Sequence, residues 1–461
     1  MQRTIQPMQQ SILQAMTLVG LLAAGFVMMP LARRVDAIAQ ATVDARIQQY
    51  QKQAQQIRPE NYNLSLNPIT AAKESHWRNI LWTTALLEPQ EPYVVQAVEQ
   101  ILALSTRRGL SVAEKRTLRM AMQVGTQLYV GDPVGYEAIG TQLLKAAQSS
   151  PDPQFAAMGL SALIQAKVDP SQLMPISRQL QQRFPNWQDN VFLYTTVREL
   201  AELQSPTTLP PLQDLLNWQI APNQIHLYVL CRPNRWVLCQ MVVKDRQGNF
   251  VRQGNGQLWS VPLLLRSLHS LNWNFERGQT PQGIYRMEGV VPQPDLDYFR
   301  AYGQFDLVKL FVPYEPGVKA FLPGRAGGFV GGLDAYRSLL PASWRNYFPI
   351  QQSYWAGKAG RGLFRIHGTG DHPDLFANNR RYPQTAAWNP TIGCLSALEL
   401  YDESGQLIRA DMPQILAILR RLGGPNFTGY VVVVDVPGDG SQIVSQNEVE
   451  TRLTFQAQLT P

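Results

Sequence analysis

The hydrophobic pattern changes period once, and the change divides the chain. Before Ser205-Pro-Thr-Thr-Leu-Pro-Pro211 apolar residues recur at helical spacing; after it they gather in short β-rich runs. A chain with two periods folds as two kinds of layer. The sequence therefore predicts an all-α region over 73–204, a linker over 205–223 and a mostly-β domain over 224–461, an α+β chain as a whole. Val94, Ala97, Val98, Ile101 and Leu102 lie on one helix face. Ser111 with Glu114 forms a capping box that opens the next helix. Asp132-Pro133, Asp152-Pro153 and Asp169-Pro170 each put a capping Asp before a Pro at the first helical position. The region reads as roughly six or seven helices, solenoid- or bundle-like, whose surface suits a protein partner.

Two features bound the environment. From Ile12 to Ala32 none of the 21 residues is charged, and Arg33-Arg34 follow. At about 1.5 Å per residue the run spans a hydrocarbon core. It predicts a membrane anchor over 1–33, the alternative being a signal peptide cut at Ala37-Ile-Ala39 or Ala39-Gln-Ala41. Residues 34–72 read as a polar juxtamembrane helix and a loop. The net charge of +7 comes from 41 basic and 34 acidic residues without a basic stripe, which excludes a nucleic-acid partner. Three cysteines exclude a disulfide framework and a Cys-rich zinc site. Arg232-Pro-Asn-Arg235 reads as a hairpin turn between β-runs Ile225–Cys231 and Trp236–Lys244. That turn pairs Cys231 with Trp236 and sets Cys239 opposite about Tyr228. Cys231 and Cys239 are therefore expected as reduced, buried thiols.

The chemistry centres on Cys394, in Pro390-Thr-Ile-Gly-Cys394, and His367, in Phe364-Arg-Ile-His367-Gly-Thr-Gly370. Glycine before the cysteine lets the chain turn tightly and aim backbone N–H groups at a reacting carbonyl. An imidazole delivered from a second strand end raises the thiolate fraction of a neighbouring thiol. His367, Asp371 and His372 lack a third well-spaced ligand, so no metal or other cofactor is expected.

Thr280-Pro-Gln-Gly283, Ile366-His-Gly368 and Thr391-Ile-Gly-Cys394, in this order, resemble the L,D-transpeptidase catalytic domain of bacterial cell-wall enzymes. The helix Met412–Leu422 and the strand Tyr430–Asp435 after the cysteine are similar to that family's closing elements. The likeness covers about 224–440 and is closest to a divergent branch. Ile392 stands where members usually carry His, Leu395-Ser-Ala397 holds no Arg, and His367 and Cys394 are 27 positions apart, longer than the usual spacing. The resemblance implies an envelope enzyme, anchored in the inner membrane with its catalytic domain outside the cytoplasm. It implies that Cys394 attacks an amide of a peptidoglycan stem peptide to form an acyl-enzyme, with His367 as base. It also assigns Gly393 and Cys394 N–H groups to the oxyanion hole and Thr391 to orienting the nucleophile loop. The departures leave open an L,D-endopeptidase or carboxypeptidase, or a peptidoglycan-binding scaffold with little turnover. Arg365, Arg380 and Arg381 are expected to meet substrate carboxylates, and Trp388 and Tyr354 to line the cleft.

Overall fold

The computed structural model describes residues 43–293, 303–368, 385 and 387–454. Its first half is helical: α1 (Val43–Ala54), α2 (Glu74–Leu87), α3 (Pro92–Ala103), α4 (Val112–Gly131), α5 (Glu137–Ser149), α6 (Pro153–Gln165), α7 (Pro170–Arg183) and α8 (Val191–Gln204). From α2 to α8 each helix packs on the next but one, the contact order of a stacked repeat. The caps act locally. Ser111 Oγ accepts the Glu114 N–H while Glu114 accepts the Ser111 N–H. Asp152 and Asp169 accept the N–H groups of Gln154 and Ser171. Asp132 behaves differently. It ends α4, its carboxylate accepts the Gly135 N–H, and α5 starts only at Glu137.

The second half is a closed eight-stranded barrel in the order β1-β10-β4-β5-β6-β7-β3-β2. The strands are β1 (Ile225–Cys231), β2 (Cys239–Lys244), β3 (Ser260–Leu264), β4 (Gly283–Val291), β5 (Leu307–Phe311), β6 (Arg365–Gly368), β7 (Leu395–Ala397) and β10 (Thr428–Asp435), with a separate hairpin of β8 (Glu399–Tyr401) and β9 (Leu407–Ala410). Only β1–β10 and β6–β7 pair parallel. Every barrel strand sends residues into one apolar cluster, among them Val229, Leu310, Ile366 and Leu395, so that face is the interior. Ile415 and Leu419 of α9 (Met412–Gly423) join the same cluster. A second cluster covers the outer face of β1, β4 and β10 with aromatic residues and with Leu212, Leu215 and Leu216 of a short helix, Leu212–Asn217. Part of the expected linker is thus core.

Three expectations need correction. The fold is a helical stack joined to a closed barrel, an α/β protein, and not the α+β chain expected. No helix among the described residues is long and apolar enough to cross a membrane, and Ile12–Ala32 lies outside those residues. Closure was not foreseen because it depends on Leu227 pairing with Val431, a contact without a local signal. Finally, Cys231 and Cys239 form a disulfide with Cα atoms 4.2 Å apart. Arg235 turns inward to Asp435 at 2.7 Å, which draws the loop out of a tight hairpin. Leu230 then pairs with Gln240, and Cys231 faces Cys239.

Alkylation of the denatured chain without reductant should modify Cys394 alone, and all three cysteines after reduction, as read by intact mass. Replacing Cys231 and Cys239 by Ala should lower unfolding stability by about 2–3 kcal/mol in denaturant titrations.

Candidate active site

Parallel pairing of β6 with β7 sets His367 and Cys394 on neighbouring strands. Ile366 lies opposite Leu395 and His367 opposite Ser396. Ile366 and Leu395 point inward, so His367 and Ser396 point out of the barrel. Cys394 immediately precedes β7, on the side of Ser396, and sits diagonally across from His367.

The turn carrying the nucleophile is held from beneath. Gly393 has φ +130°, and a Cβ there would lie 2.7 Å from Arg361 Nη2 and 3.0 Å from the Phe364 ring. Only glycine fits both the backbone and the space. Arg361 is buried over Phe364 and donates to the carbonyls of Trp273, Gly278 (2.8 Å) and Gln279 (3.2 Å). Thr280 Oγ1 donates to Gly393 O at 2.9 Å, and Thr391 Oγ1 to Cys394 O at 2.7 Å. Thr391 thus closes the turn with a side-chain to main-chain hydrogen bond. The Gly393 N–H, expected as an oxyanion donor, points to Thr391 Oγ1 at 3.3 Å and is engaged within the loop.

Around the sulfur, the Arg365 main-chain N–H donates to Sγ, and the thiol donates to Leu363 O at 3.6 Å. Leu363 takes φ +62°, and its N–H is held by Glu315 Oε1 at 2.8 Å. Glu315 Oε2 accepts the Val312 N–H at 3.1 Å, tying this strained residue to the end of β5. Leu363 and Ile392 form an apolar lip, 73% and 45% exposed. Burial pushes the Cys394 thiol up to about 11, against the opposing pull of the Arg365 N–H and the charges of Arg365 and Arg361. Burial, with the positive charge of Arg365, holds His367 down at about 4. Both groups are neutral at pH 7. His367 Nδ1 lies 2.7 Å from Gly368 O; a carbonyl only accepts, so Nδ1 carries the proton and Nε2 the lone pair. Gly368 packs closely too: a Cβ there would lie 1.9 Å from Glu399 Oε2, which would have to shift.

Of the expected substrate contacts, Arg365 is at the site; its guanidinium donates to Leu310 O and Phe364 O. Tyr354 is elsewhere, packed among Tyr314, Phe329, Tyr336 and Trp355 in the outer aromatic cluster. Trp388 is half-buried, and its buried indole N–H has no acceptor among the described residues. Arg380, Arg381, Asp371 and His372 lie outside the described residues.

Sequence reasoning missed Arg361 and Glu315, since a charged residue beside Gly or Pro reads as a solvated turn. It also missed why the helical region matters. The loop between β3 and β4 docks into that region. Gln127 Oε1 meets His269 Nδ1 at 2.7 Å, Gln165 Oε1 accepts the Asn272 N–H at 2.8 Å, and Gln123 Oε1 accepts the Arg277 N–H at 2.9 Å. The Glu199 carboxylate accepts from Trp273 Nε1 and Asn274 Nδ2. The same loop supplies the carbonyls that hold Arg361.

No family model matches the chain, and neither a curated protein nor a solved structure does. The likeness to L,D-transpeptidases therefore rests on the motifs, without support from these comparisons.

Two measurements check the site. Alkylation of native Cys394 by iodoacetamide should be slow at pH 7 and accelerate about tenfold per pH unit toward pH 10, because the raised pKa keeps the thiolate scarce. A plateau near neutrality would show a resting thiolate–imidazolium pair instead. Burial raises Glu199 from 4.5 to about 7, so the folded state favours its protonated form. Its stability contribution is full below 4.5 and is lost as pH rises through about 7. Wild type should accordingly lose roughly 3 kcal/mol relative to Glu199→Gln between pH 4 and 8, measured by denaturant titration.

Proposed function

We propose that this chain is a cysteine acyltransferase of the bacterial cell envelope, similar to L,D-transpeptidases and acting on peptidoglycan stem peptides. The observation that carries the reading is the pairing of a glycine-cysteine turn with a histidine-glycine strand on one outer face of a barrel. The three motifs add the substrate class. The disulfide suits an oxidising compartment, consistent with a site of action outside the cytoplasm.

The proposed mechanism starts from the neutral pair. Substrate entering past Leu363 and Ile392 displaces the thiol proton from Leu363 O toward His367 Nε2. The imidazole accepts this proton as sulfur attacks the amide carbon. The Cys394 N–H, with the Gly393 N–H released from Thr391, receives the developing oxyanion. The imidazolium returns the proton to the leaving amine, and a thioester remains on Cys394. An incoming amine completes transpeptidation; water completes hydrolysis. In either case His367 takes the proton of the incoming nucleophile. A binding scaffold with little turnover is the second reading, favoured by a thiol pushed to about 11 and bonded to a carbonyl.

Incubation of the full chain with a carbapenem should yield a one-to-one mass adduct that Cys394→Ala abolishes. His367→Ala should slow its formation by about 10²–10⁴-fold. Product analysis on purified muropeptides then separates transfer from hydrolysis. Full muropeptide turnover by Cys394→Ala would overturn the assignment. A wild type that binds muropeptides without turnover would establish the scaffold.

A further inference from the structure

The helical stack and the barrel enclose a cleft of about 380 Å³ that the proposed chemistry has not used. That volume lies within the roughly 300–1,000 Å³ of small-ligand sites. Arg119 of α4 and Gln154 of α6 line one wall, Glu276 and Arg361 the other, and Met158 and Phe275 add apolar surface. The turn Ala359–Arg361 that borders the cleft runs on within two residues to Leu363, whose carbonyl holds the Cys394 thiol. A ligand seated in the cleft therefore lies beside the chain segment that forms the nucleophile's lip.

The charges in this cleft are unbalanced. The Arg119 guanidinium makes one side-chain hydrogen bond among the described residues, a long 3.5 Å contact to Gln154 Oε1. Among the described residues its Nε is buried without an acceptor and it makes no ion pair. A buried guanidinium N–H left unmatched is costly, so the site is built to receive an acceptor. Arg361 spends its N–H groups on carbonyls, which satisfy its donors, and Glu276 is the carboxylate whose charge acts on it. Glu276 is exposed at the opposite wall; it makes no ion pair among the described residues, and its charge acts on Arg361 and Arg277 without direct contact. Arg119 thus faces Glu276 across a partly apolar cleft, with Arg361 buried behind the carboxylate's wall. This pattern complements a zwitterionic peptide that carries a carboxylate and a side-chain ammonium.

We propose that this cleft is a peptide subsite in which Arg119 binds a substrate carboxylate and Glu276 a side-chain ammonium, a role that rests on the reading of Cys394 as a nucleophile toward stem peptides. The helical stack then contributes directly to substrate recognition. Guanidinium pairs with carboxylate through two parallel N–H donors, which the present single contact to Gln154 leaves available.

Calorimetric titration of the full-length Cys394→Ala chain tests this without catalysis. The probe is a synthetic tetrapeptide of alternating L and D centres with one diamino residue and a free C-terminal carboxylate, compared with its C-terminal amide. Arg119→Ala should weaken binding of the acid tenfold or more and remove the preference for acid over amide; Arg119→Lys should recover part of it. Glu276→Gln should weaken both peptides. Thermal melting of each variant confirms that it is folded. Equal binding of acid and amide, unchanged binding in Arg119→Ala, or no binding of the acid at all overturns the subsite.

The same variants in the Cys394-containing chain separate the two proposals. If the acid binds through Arg119 yet the tetrapeptide never acylates Cys394, the subsite stands and acyl transfer fails. If acylation proceeds and Arg119→Ala leaves its KM unchanged, acyl transfer stands and the subsite fails. With both correct, Arg119→Ala raises KM about tenfold while the iodoacetamide reactivity of Cys394 is unchanged.

Discussion

The buried guanidinium of Arg361 is the interaction on which the rest of the candidate site depends. It sits beneath Gly393, stacked on Phe364, with its donors spent on three carbonyls of one loop. Those carbonyls are fixed because the loop is docked into the helical stack through Gln123, Gln127, Gln165 and Glu199. Order therefore passes from α4, α6 and α8 to the β3–β4 loop, then to Arg361, then to the glycine that aims Cys394. Withdrawing partners from a buried charge is strongly unfavourable, which makes this linkage stiff. The helical region thereby acts as a splint for the nucleophile turn, whatever else its surface binds.

The resting chemistry is one of restraint. The thiol is neutral, hydrogen-bonded to Leu363 O and pushed up by burial; the imidazole is neutral and held down by burial. Nucleophilicity and oxidation both follow thiolate character, so a thiol in this state is protected where the Cys231–Cys239 disulfide is stable. Activation then belongs to the substrate complex, when a carbonyl replaces solvent at the lip and the proton has a better destination. The backbone is already strained there, at Leu363, and clamped by Glu315 so that the strain persists.

What the sequence revealed follows the range of the forces involved. The caps at Ser111, Asp152 and Asp169 were legible because each joins residues two or three apart. The closing helix and strand were legible from period and from the glycines that end the helix. Barrel closure was not, since β1 meets β10 across most of the domain. The hairpin was misread because Arg235 answers to Asp435, far along the chain, and its inward turn resets the cysteine register. Gly393 was recognisable as a turn, while its reason, a guanidinium from another loop, was not. Tyr354 showed the same limit: composition identifies an aromatic residue without saying which side of the barrel it covers.

Cys394 is claimed to carry the acyl group, and the most direct test is to trap it there. The full chain would be mixed with a stem tetrapeptide, acid-quenched within milliseconds to seconds, digested and mapped by mass spectrometry. The account predicts an acyl mass increment of the N-terminal tripeptidyl group on the peptide containing Cys394, with release of the tetrapeptide's C-terminal residue as the free amino acid. Product formation with no increment on Cys394 at any quench time, or an increment on another residue, would contradict it.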